Sequence, residues 1–563
     1  MIYHCEDHTC NYWDEGEKLP ERCPQCGRKL LRANEADMTG DDWTALGNTL
    51  WDAEASDKKR MVDCFRKAAY LGSAWGVCNL GICMEQGNGV EADPVQAFWL
   101  YQQAAGMGRL NAVCCLGVCY QYGIGTAPDA KQAAELYCKA AEYGSPRGQM
   151  LLARAFHDGI GVEADAAEAV HWVRAAAYQR YGEGMHRLGV CYEYGDGVEQ
   201  NWEHAVHWFR EAAESGVSTA MTDLGYCYEK GCGVEQSWEQ AFSWYRRGAE
   251  CGYPVSMSNL GLCYKRGYGV EQNWQEAVKW YEQGAQCGNL QSMNNLAYCY
   301  ERGEGVEQNE ERALYWYRRG AEAGSDYCMY CLGWNYSNGE GVEQNMTEAI
   351  RWYTAAAEGG NADAMHDLGW LYDHGEGVEQ DMKKAICWYE RAAEQNHPAA
   401  MNSLGECYAM GRGVPRDLET AMEWYRRAAE LGEAMADYNM GWHLEQAGKL
   451  SEAYAHYRKA ADGNDDSAWW ALGRFYENGV VVAQDGKEAR RCYETGEKLG
   501  SAKCKMRLAR CKLLGIGGRR EKKAGLDLCR QALELAKESS EKEDYGYEAE
   551  MNLLRRTIAE NES

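Results

Sequence analysis

Proline is scarce in this chain, 8 of 563 residues against 63 glycines. That imbalance excludes Pro-rich linkers as the organising element, whereas regularly placed helix-ending glycines account for it. No apolar run approaches the ~20 residues a membrane-spanning helix requires, and mean hydropathy is −0.62. Basic residues are outnumbered, 59 to 86, leaving a net charge of −27. A general nucleic-acid coat or a binder of anionic membranes needs basic faces, so neither is expected. Met1 to Asn11 hold no basic stretch followed by an apolar one, so no secretory signal is expected. Hydrophobic residues make up 45% and charged residues 26%, so the chain can bury a core. It is too long for one, because single cores stop growing near ~250–300 residues. Several domains or a stacked repeat must carry it.

A repeat is what the chain contains. Leu-Gly, or a close variant, recurs at Leu80, Leu116, Leu152, Leu188, Leu224, Leu260, Leu296, Leu332, Leu368, Leu404 and Met440, every interval being 36 residues. Leu46, Leu472 and Leu508 extend the series to fourteen anchors. Around one anchor, Ala220, Leu224, Gly225 and Tyr228 form one face of a helix, with Gly225 permitting a close helix approach. Gly231-Cys232-Gly233 ends that helix, since glycine tolerates the left-handed C-cap. Ser237 then reads as the N-cap of a second helix, as do Asn201, Asn273, Asn309, Asn345 and Asp381 elsewhere. The second helix carries Ala241, Trp244, Tyr245 and Ala249 on one apolar face, and Gly252 stops it. Pairs such as Trp244-Tyr245 and Trp280-Tyr281 read as core. Each repeat is a helix pair that buries its apolar face only against neighbours.

The pattern A-x3-LG-x2-Y-x2-G-x-G-V followed by A-x2-WY-x3-A-E-x-G resembles the Sel-one-like repeat (SLR) family, a relative of the tetratricopeptide repeat. The resemblance spans residues 38–525. It implies an all-α, right-handed α/α superhelical solenoid of about fourteen helix pairs, with residues 526–563 as C-terminal capping helices. It also implies a non-catalytic scaffold or adaptor that binds a protein or peptide. The repeats around Leu46 and Met440 lack the G-x-G-V loop, and the one around Leu508 lacks the second-helix Trp-Tyr pair.

The 26 cysteines divide into two groups. Eight share one register, three residues after the Leu: Cys83, Cys119, Cys191, Cys227, Cys263, Cys299, Cys407 and Cys511. Free cysteine behaves as a small hydrophobe. Equivalent positions in adjacent helices stand ~8–10 Å apart, beyond disulfide reach, so reduced core thiols are expected. Secreted cysteine-rich members of the SLR family bridge helices with Cys-x7-Cys; here the matching sites are Met257 and Met293, which points to a reducing, cytoplasmic location. The second group lies in residues 1–37. Cys5, Cys10, Cys23 and Cys26, the last two in Cys23-Pro24-Gln25-Cys26-Gly27, have the spacing of a small rubredoxin-type zinc ribbon, with His8 as a spare ligand. Four thiolates suit a structural Zn²⁺ and leave no open coordination position for a substrate. An iron site would use the same ligands, but no redox partner domain is visible.

In tetratricopeptide units the concave face is lined by residues five and two before the Leu and two, five and six after it. Transferred here, these positions hold Tyr226, Tyr298, Tyr327, Tyr330, Trp334, His366, Trp370, Tyr438, Trp442 and Trp470, interleaved with Glu301, Asp363, Asp373 and Glu445. Two readings stand: anchors for a peptide, or packing between adjacent first helices. Residues 487–523 hold thirteen Lys or Arg and four Glu, a local +9. Lys503, Arg507, Arg510, Arg519 and Arg520 form a candidate anion-binding end there. The alternative function follows from it, contact with RNA or DNA through the ribbon and this basic end. The Gly-x-Gly-Val-Glu-Gln loops lack the Lys-Ser/Thr of a phosphate cradle. His366 and His374 are ~12 Å apart along a helix, too far for one metal. No Gly-x-Ser-x-Gly or His-Glu-x-x-His is present, so an enzyme is not expected.

Overall fold

A computed structural model describes residues 2–5, 13–15, 30–33, 35–51, 55–542 and 547–562. Among them the chain forms 29 α-helices and three short strands. From Ala74 to Leu514 every helix is 13 residues long, two per repeat, and the 36-residue period is those two helices plus their loops. The helices fall into two compact bodies. The N-terminal body comprises Met1–Ser292 and Glu304–Val306, the C-terminal body Met293–Gly303 and Glu307–Ser563. Within each body the two helices of a repeat pack on each other, and second helices pack on the next first helix. The expected division at residue 525 falls inside helix Lys522–Lys542, which is the second helix of the fourteenth pair. A single further helix, Tyr547–Glu562, follows.

The Leu-Gly anchor has a steric cause. In most repeats the Tyr or Phe of the second helix packs against the Gly of its own repeat, and a Cβ there would come within 2.5 Å of the Tyr281 ring at Gly261 and 2.6 Å of the Tyr245 ring at Gly225. These rings are almost fully buried, from Tyr101 through Tyr493. The preceding Trp behaves differently. Trp244 is buried, but Trp280, Trp316, Trp352, Trp388 and Trp424 are half-buried. Arg391 covers Trp388 at 4.3 Å and Arg427 covers Trp424 at 4.5 Å, one helical turn on. The Trp-Tyr pair therefore splits into a core ring and a boundary ring.

The loop is equally determined. Gly231 caps its helix in the left-handed region at φ 74°, its N–H donating to the Cys227 carbonyl. Two residues later Gly233, at φ 68°, sits against the start of the preceding repeat's second helix, where a Cβ would meet the Trp202 carbonyl at 2.4 Å. The Gln of Gly-Val-Glu-Gln locks the turn. Gln236 Nε2 donates to the Glu229 carbonyl at 2.8 Å, and Gln200, Gln272, Gln344, Gln380 and Gln484 do the same in their repeats. Asn201 and Ser237 then cap the second helices, accepting from the His204 and Gln240 N–H groups. The repeat around Met440 closes instead on Gly448, at φ 75°, without a second glycine.

All eight cysteines of the shared register are buried, and no disulfide forms among the described residues. Burial pushes Cys83 up to about 11 and Cys119, Cys227, Cys263, Cys407 and Cys511 up to about 12, so they stay protonated and unreactive at neutral pH. Cys251, Cys287 and Cys387 are exposed. Brief iodoacetamide labelling read by peptide mapping is expected to mark those three and spare the buried register until the chain is unfolded in urea. Labelling of Cys227 or Cys407 in the folded chain would mean that the core is open there.

Candidate interaction face

On a first helix, positions seven apart lie two turns apart on one face, so −5 and +2 around the anchor Leu share a side while the Leu points away. In the C-terminal body that side and the adjoining +6 position carry exposed large apolar residues beside the charged Asp363 and Glu406. Tyr327 and Trp334 stand on helix Asp326–Asn338, Trp370 on Ala362–His374, Met410 on Pro398–Met410, and Met435 and Trp442 on Ala434–Gln446. All six are 37–55% exposed. Trp370 is held by His374, which stacks on it at 4.2 Å. Tyr226, in the N-terminal body, is also exposed.

The −2 residues are different. Tyr330 packs on the Tyr353 ring at 5.8 Å, His366 on Tyr389 at 5.8 Å and Tyr438 on Tyr457 at 5.6 Å, each the core ring of its own repeat. All three are half-buried. The Tyr330 hydroxyl donates to Asp367, and burial pushes the Tyr438 phenol up to about 12. Tyr298 is half-buried beside Arg302, and Trp470 lies half-buried under Arg474 at 4.6 Å and Lys503 at 5.3 Å. Position divides the aromatics: −2 rings pack, while −5 and +2 rings between Tyr327 and Trp442 are exposed.

The interleaved carboxylates divide likewise. Glu301 accepts from the Tyr317 hydroxyl at 2.9 Å, and Glu445 accepts from the Tyr457 hydroxyl at 2.7 Å and from Arg474 at 2.8 Å. Asp373 is buried against Arg412 at 2.9 Å. Asp363 remains exposed, 3.2 Å from His397 Nε2. Burial pushes the Glu406 carboxyl up, against the pull of Arg412.

At the basic end the candidate residues differ in surroundings. Arg507 is bound to Glu477 at 3.3 Å and to Glu550 at 2.6 Å, and Arg510 also pairs with Glu477. Arg520 fills the place of the loop Gln, its Nε donating to the Leu513 carbonyl at 3.0 Å. Lys503 covers Trp470, and burial pushes its ammonium down. Of the five expected anion-binding residues, Arg507 and Arg510 are engaged in internal ion pairs, one of them with Glu550 of the last helix, 43 residues away. Arg519 is exposed.

The expected ribbon lies almost wholly outside the described residues: His8, Cys10, Cys23 and Cys26 are not among them, and Cys5 is described only as the last residue of strand β1 (Ile2–Cys5). β1 pairs antiparallel with β2 (Trp13–Glu15) on one side and β3 (Leu30–Ala33) on the other. Among the described residues, no group of three or more His, Cys, Asp or Glu is arranged to hold a metal ion, and no helix is long and apolar enough to cross a membrane.

Comparison with known proteins gives a consistent result. The Sel1 repeat family profile matches thirteen times in near-unbroken succession, from residues 76–108 to 502–537. The first helix pair, around Leu46, precedes these matches. A crystal structure of a protective antigen from uropathogenic Escherichia coli strains, described as displaying an SLR fold, is 30% identical with a TM-score of 0.56, covering 76% of this chain and 90% of that one. A Sel1 repeat protein from Oxalobacter formigenes is 28% identical with a TM-score of 0.43, covering 56% of this chain and 93% of that one. A comparison with curated proteins returned no match. Thirteen consecutive matches, together with the Gly-on-Tyr packing and the glycine loops, place this chain in the Sel1 repeat family.

Proposed function

We propose that the chain is a non-catalytic interaction scaffold that captures a protein or peptide on the first-helix face of its C-terminal body. One observation carries the reading: Tyr327, Trp334, Trp370, Met410, Met435 and Trp442 stand exposed on consecutive first helices. Large aromatic side chains on such a face are the residues that carry most of the binding energy in protein interfaces. The test is affinity capture from cell extract with wild type and with Trp334→Ala/Trp370→Ala/Trp442→Ala, followed by titration of the purified captured protein. Three anchors at ~1 kcal/mol or more each predict a loss of about a hundredfold or more. Undiminished affinity in a variant of unchanged helicity and melting would move the site off this face.

Contact with RNA or DNA is the weaker reading, since Arg507 and Arg510 are held by Glu477 and Glu550. A phosphate-driven contact would weaken steeply as salt rises, and one on the aromatic face would not.

The proposal includes a structural Zn²⁺ held by Cys5, Cys10, Cys23 and Cys26. The backbone register supports that set: Cys5 lies opposite Leu30, which follows Cys26 closely in sequence, and His4 lies opposite Trp13, which follows Cys10 closely. A four-thiolate set suits zinc and would hold a segment with little core of its own. Metal analysis of the full chain is expected to find one zinc per chain, lost in Cys23→Ser/Cys26→Ser without change in the melting of the repeats. Zinc retained by that variant would remove these ligands from the proposal. The buried, protonated register cysteines accord with a reducing compartment, which we take to be the cytoplasm.

A further inference from the structure

In the N-terminal body one repeat breaks the packing rule. Phe65, Tyr101, Tyr137, Phe209, Tyr245 and Tyr281 supply the core ring of their repeats, resting on Gly47, Gly81, Gly117, Gly189, Gly225 and Gly261. The repeat between those of Tyr137 and Phe209 has Val173 at the ring position and Ala153 at the glycine position. Both departures fall in one repeat, and at that place a cavity of about 490 Å³ opens, with Ala153, Val170 and Val173 on its apolar floor.

The rim is built from residues that are also exceptional. Arg154 occupies the +2 position, which is Ile82, Val118, Val190, Tyr226 and Leu262 in neighbouring repeats. His157 occupies the +5 position, where Glu85, Gln121 and Glu229 accept the hydroxyl of the ring that is missing here. Arg154 pairs with Asp158 at 3.3 Å and Arg187 with Asp196 at 3.5 Å, and His157 bridges the two carboxylates at 2.6 and 3.3 Å. Those charges balance one another. Arg147 does not belong to that set. Its guanidinium donates to the Asn111 side-chain oxygen at 2.6 Å and approaches Cys115 at 3.7 Å, and no described carboxylate lies within ion-pair distance of it. The cavity thus combines an apolar floor with a guanidinium that meets a thiol but no carboxylate, and the remaining lining carboxylate, Glu183, accepts from the Tyr181 hydroxyl.

We propose that this cavity binds a small amphiphilic carboxylate, with an aryl- or alkyl-sized body on Val170 and Val173 and its carboxylate on Arg147. The volume is that of a small-molecule site. The apolar body supplies affinity, and the charge-assisted guanidinium contact supplies selectivity for the acid. Two sources offer this chemistry, a free organic acid or the C-terminal residue of another chain. The site uses none of the residues of the proposed interaction face, so either assignment can fail without the other.

Calorimetric titration of the full chain tests the proposal with four probes: 4-phenylbutyrate and its amide, and acetyl-Gly-Gly-Phe as free acid and as amide. At least one acid is expected to saturate a single site and its amide to bind about tenfold or more weaker, the worth of one charge-assisted contact. Ala153→Gly/Val173→Phe rebuilds the Gly189–Phe209 arrangement of the next repeat and fills the cavity; it should keep the helicity and lose the binding. The rim variant Arg147→Gln leaves the core untouched and should abolish the preference for acid over amide. Tighter binding of the peptide acid would identify a chain terminus as the source, and tighter binding of phenylbutyrate a free acid. Absence of saturable binding by both acids, equal binding of acid and amide by wild type, or binding retained by the filled variant would each overturn the proposal.

Discussion

Replacing Tyr389 by alanine is expected to lower the stability of the C-terminal body by about 3–5 kcal/mol, the range for removing a fully buried aromatic ring. Tyr389 is 1% exposed and lies on Gly369, with the His366 ring against it. The cavity cannot collapse easily, because Gly369 carries no side chain to fill it and both helices are pinned by neighbouring repeats. The reciprocal change should also cost. Gly to Ala inside a helix ordinarily stabilises by up to ~1 kcal/mol, but a Cβ on Gly369 would stand 2.7 Å from the Tyr389 ring, so Gly369→Ala is expected to destabilise by about 1–3 kcal/mol through overpacking. Urea unfolding followed by circular dichroism measures both. In a repeat protein the loss is local, so hydrogen exchange should quicken in helices Ala362–His374 and Met382–Glu394 while Tyr101 and its neighbours in the N-terminal body stay protected. A cost below about 1 kcal/mol for Tyr389→Ala would mean that the ring is not the keystone of its repeat.

Glu477 is the second position where one atom group holds several others. It is 11% exposed and accepts from Arg507, from Arg510 and from the Tyr493 hydroxyl at 2.8 Å. Glu477→Ala leaves Arg510 without its carboxylate and the Tyr493 hydroxyl without its acceptor. Removing one partner of a buried ion pair typically costs about 3–5 kcal/mol, because the remaining charge is stranded away from water. Arg507 retains Glu550, which places the expectation at the lower end of that range. Glu477→Gln keeps an acceptor but loses the charge and should fall between wild type and the alanine variant. The exposed pair of Lys384 with Asp381, 3.7 Å apart, is the control: Lys384→Ala should change stability by less than about 0.5 kcal/mol. If Glu477→Ala is equally mild, the arginines of this end find solvent readily, and the candidate anion-binding patch regains Arg507 and Arg510.

These two positions also mark where the sequence was transparent and where it was not. The anchor Leu, the Gly after it and the paired loop glycines repeat at a fixed period, and periodicity is visible in one chain because every copy reports on the same steric demand. Gly225 and Tyr245 therefore announced a close helix approach before any coordinate was known. The role of Gln236 was hidden although Gln recurs there in seven repeats, since a side chain donating to a helix-end carbonyl has no compositional signature; its replacement by Arg416 and Arg520, both donors to the matching carbonyl, was the available hint. Arg507 and Glu550 were not legible as partners because they are 43 residues apart in different repeats. On the candidate face, the register placed these aromatics on first helices, but only the burial of Tyr330, His366 and Tyr438 separates packing rings from outward ones. Val173 stood in plain view as the one aliphatic residue among six rings in its body, a departure that gains meaning only once the ring's place in the core is known.

The glycine loop makes each repeat a cassette. Gln236 ties its turn to the helix that has just ended, and Gly233 fits the second helix of whichever repeat comes before it. Because the Gly233 and Gln236 contacts are made to backbone, the whole 36-residue module is the natural unit by which such an array lengthens or shortens. Against such interchangeable modules, a locally altered repeat such as that of Val173 stands out as a place where sequence can be spent on something other than packing.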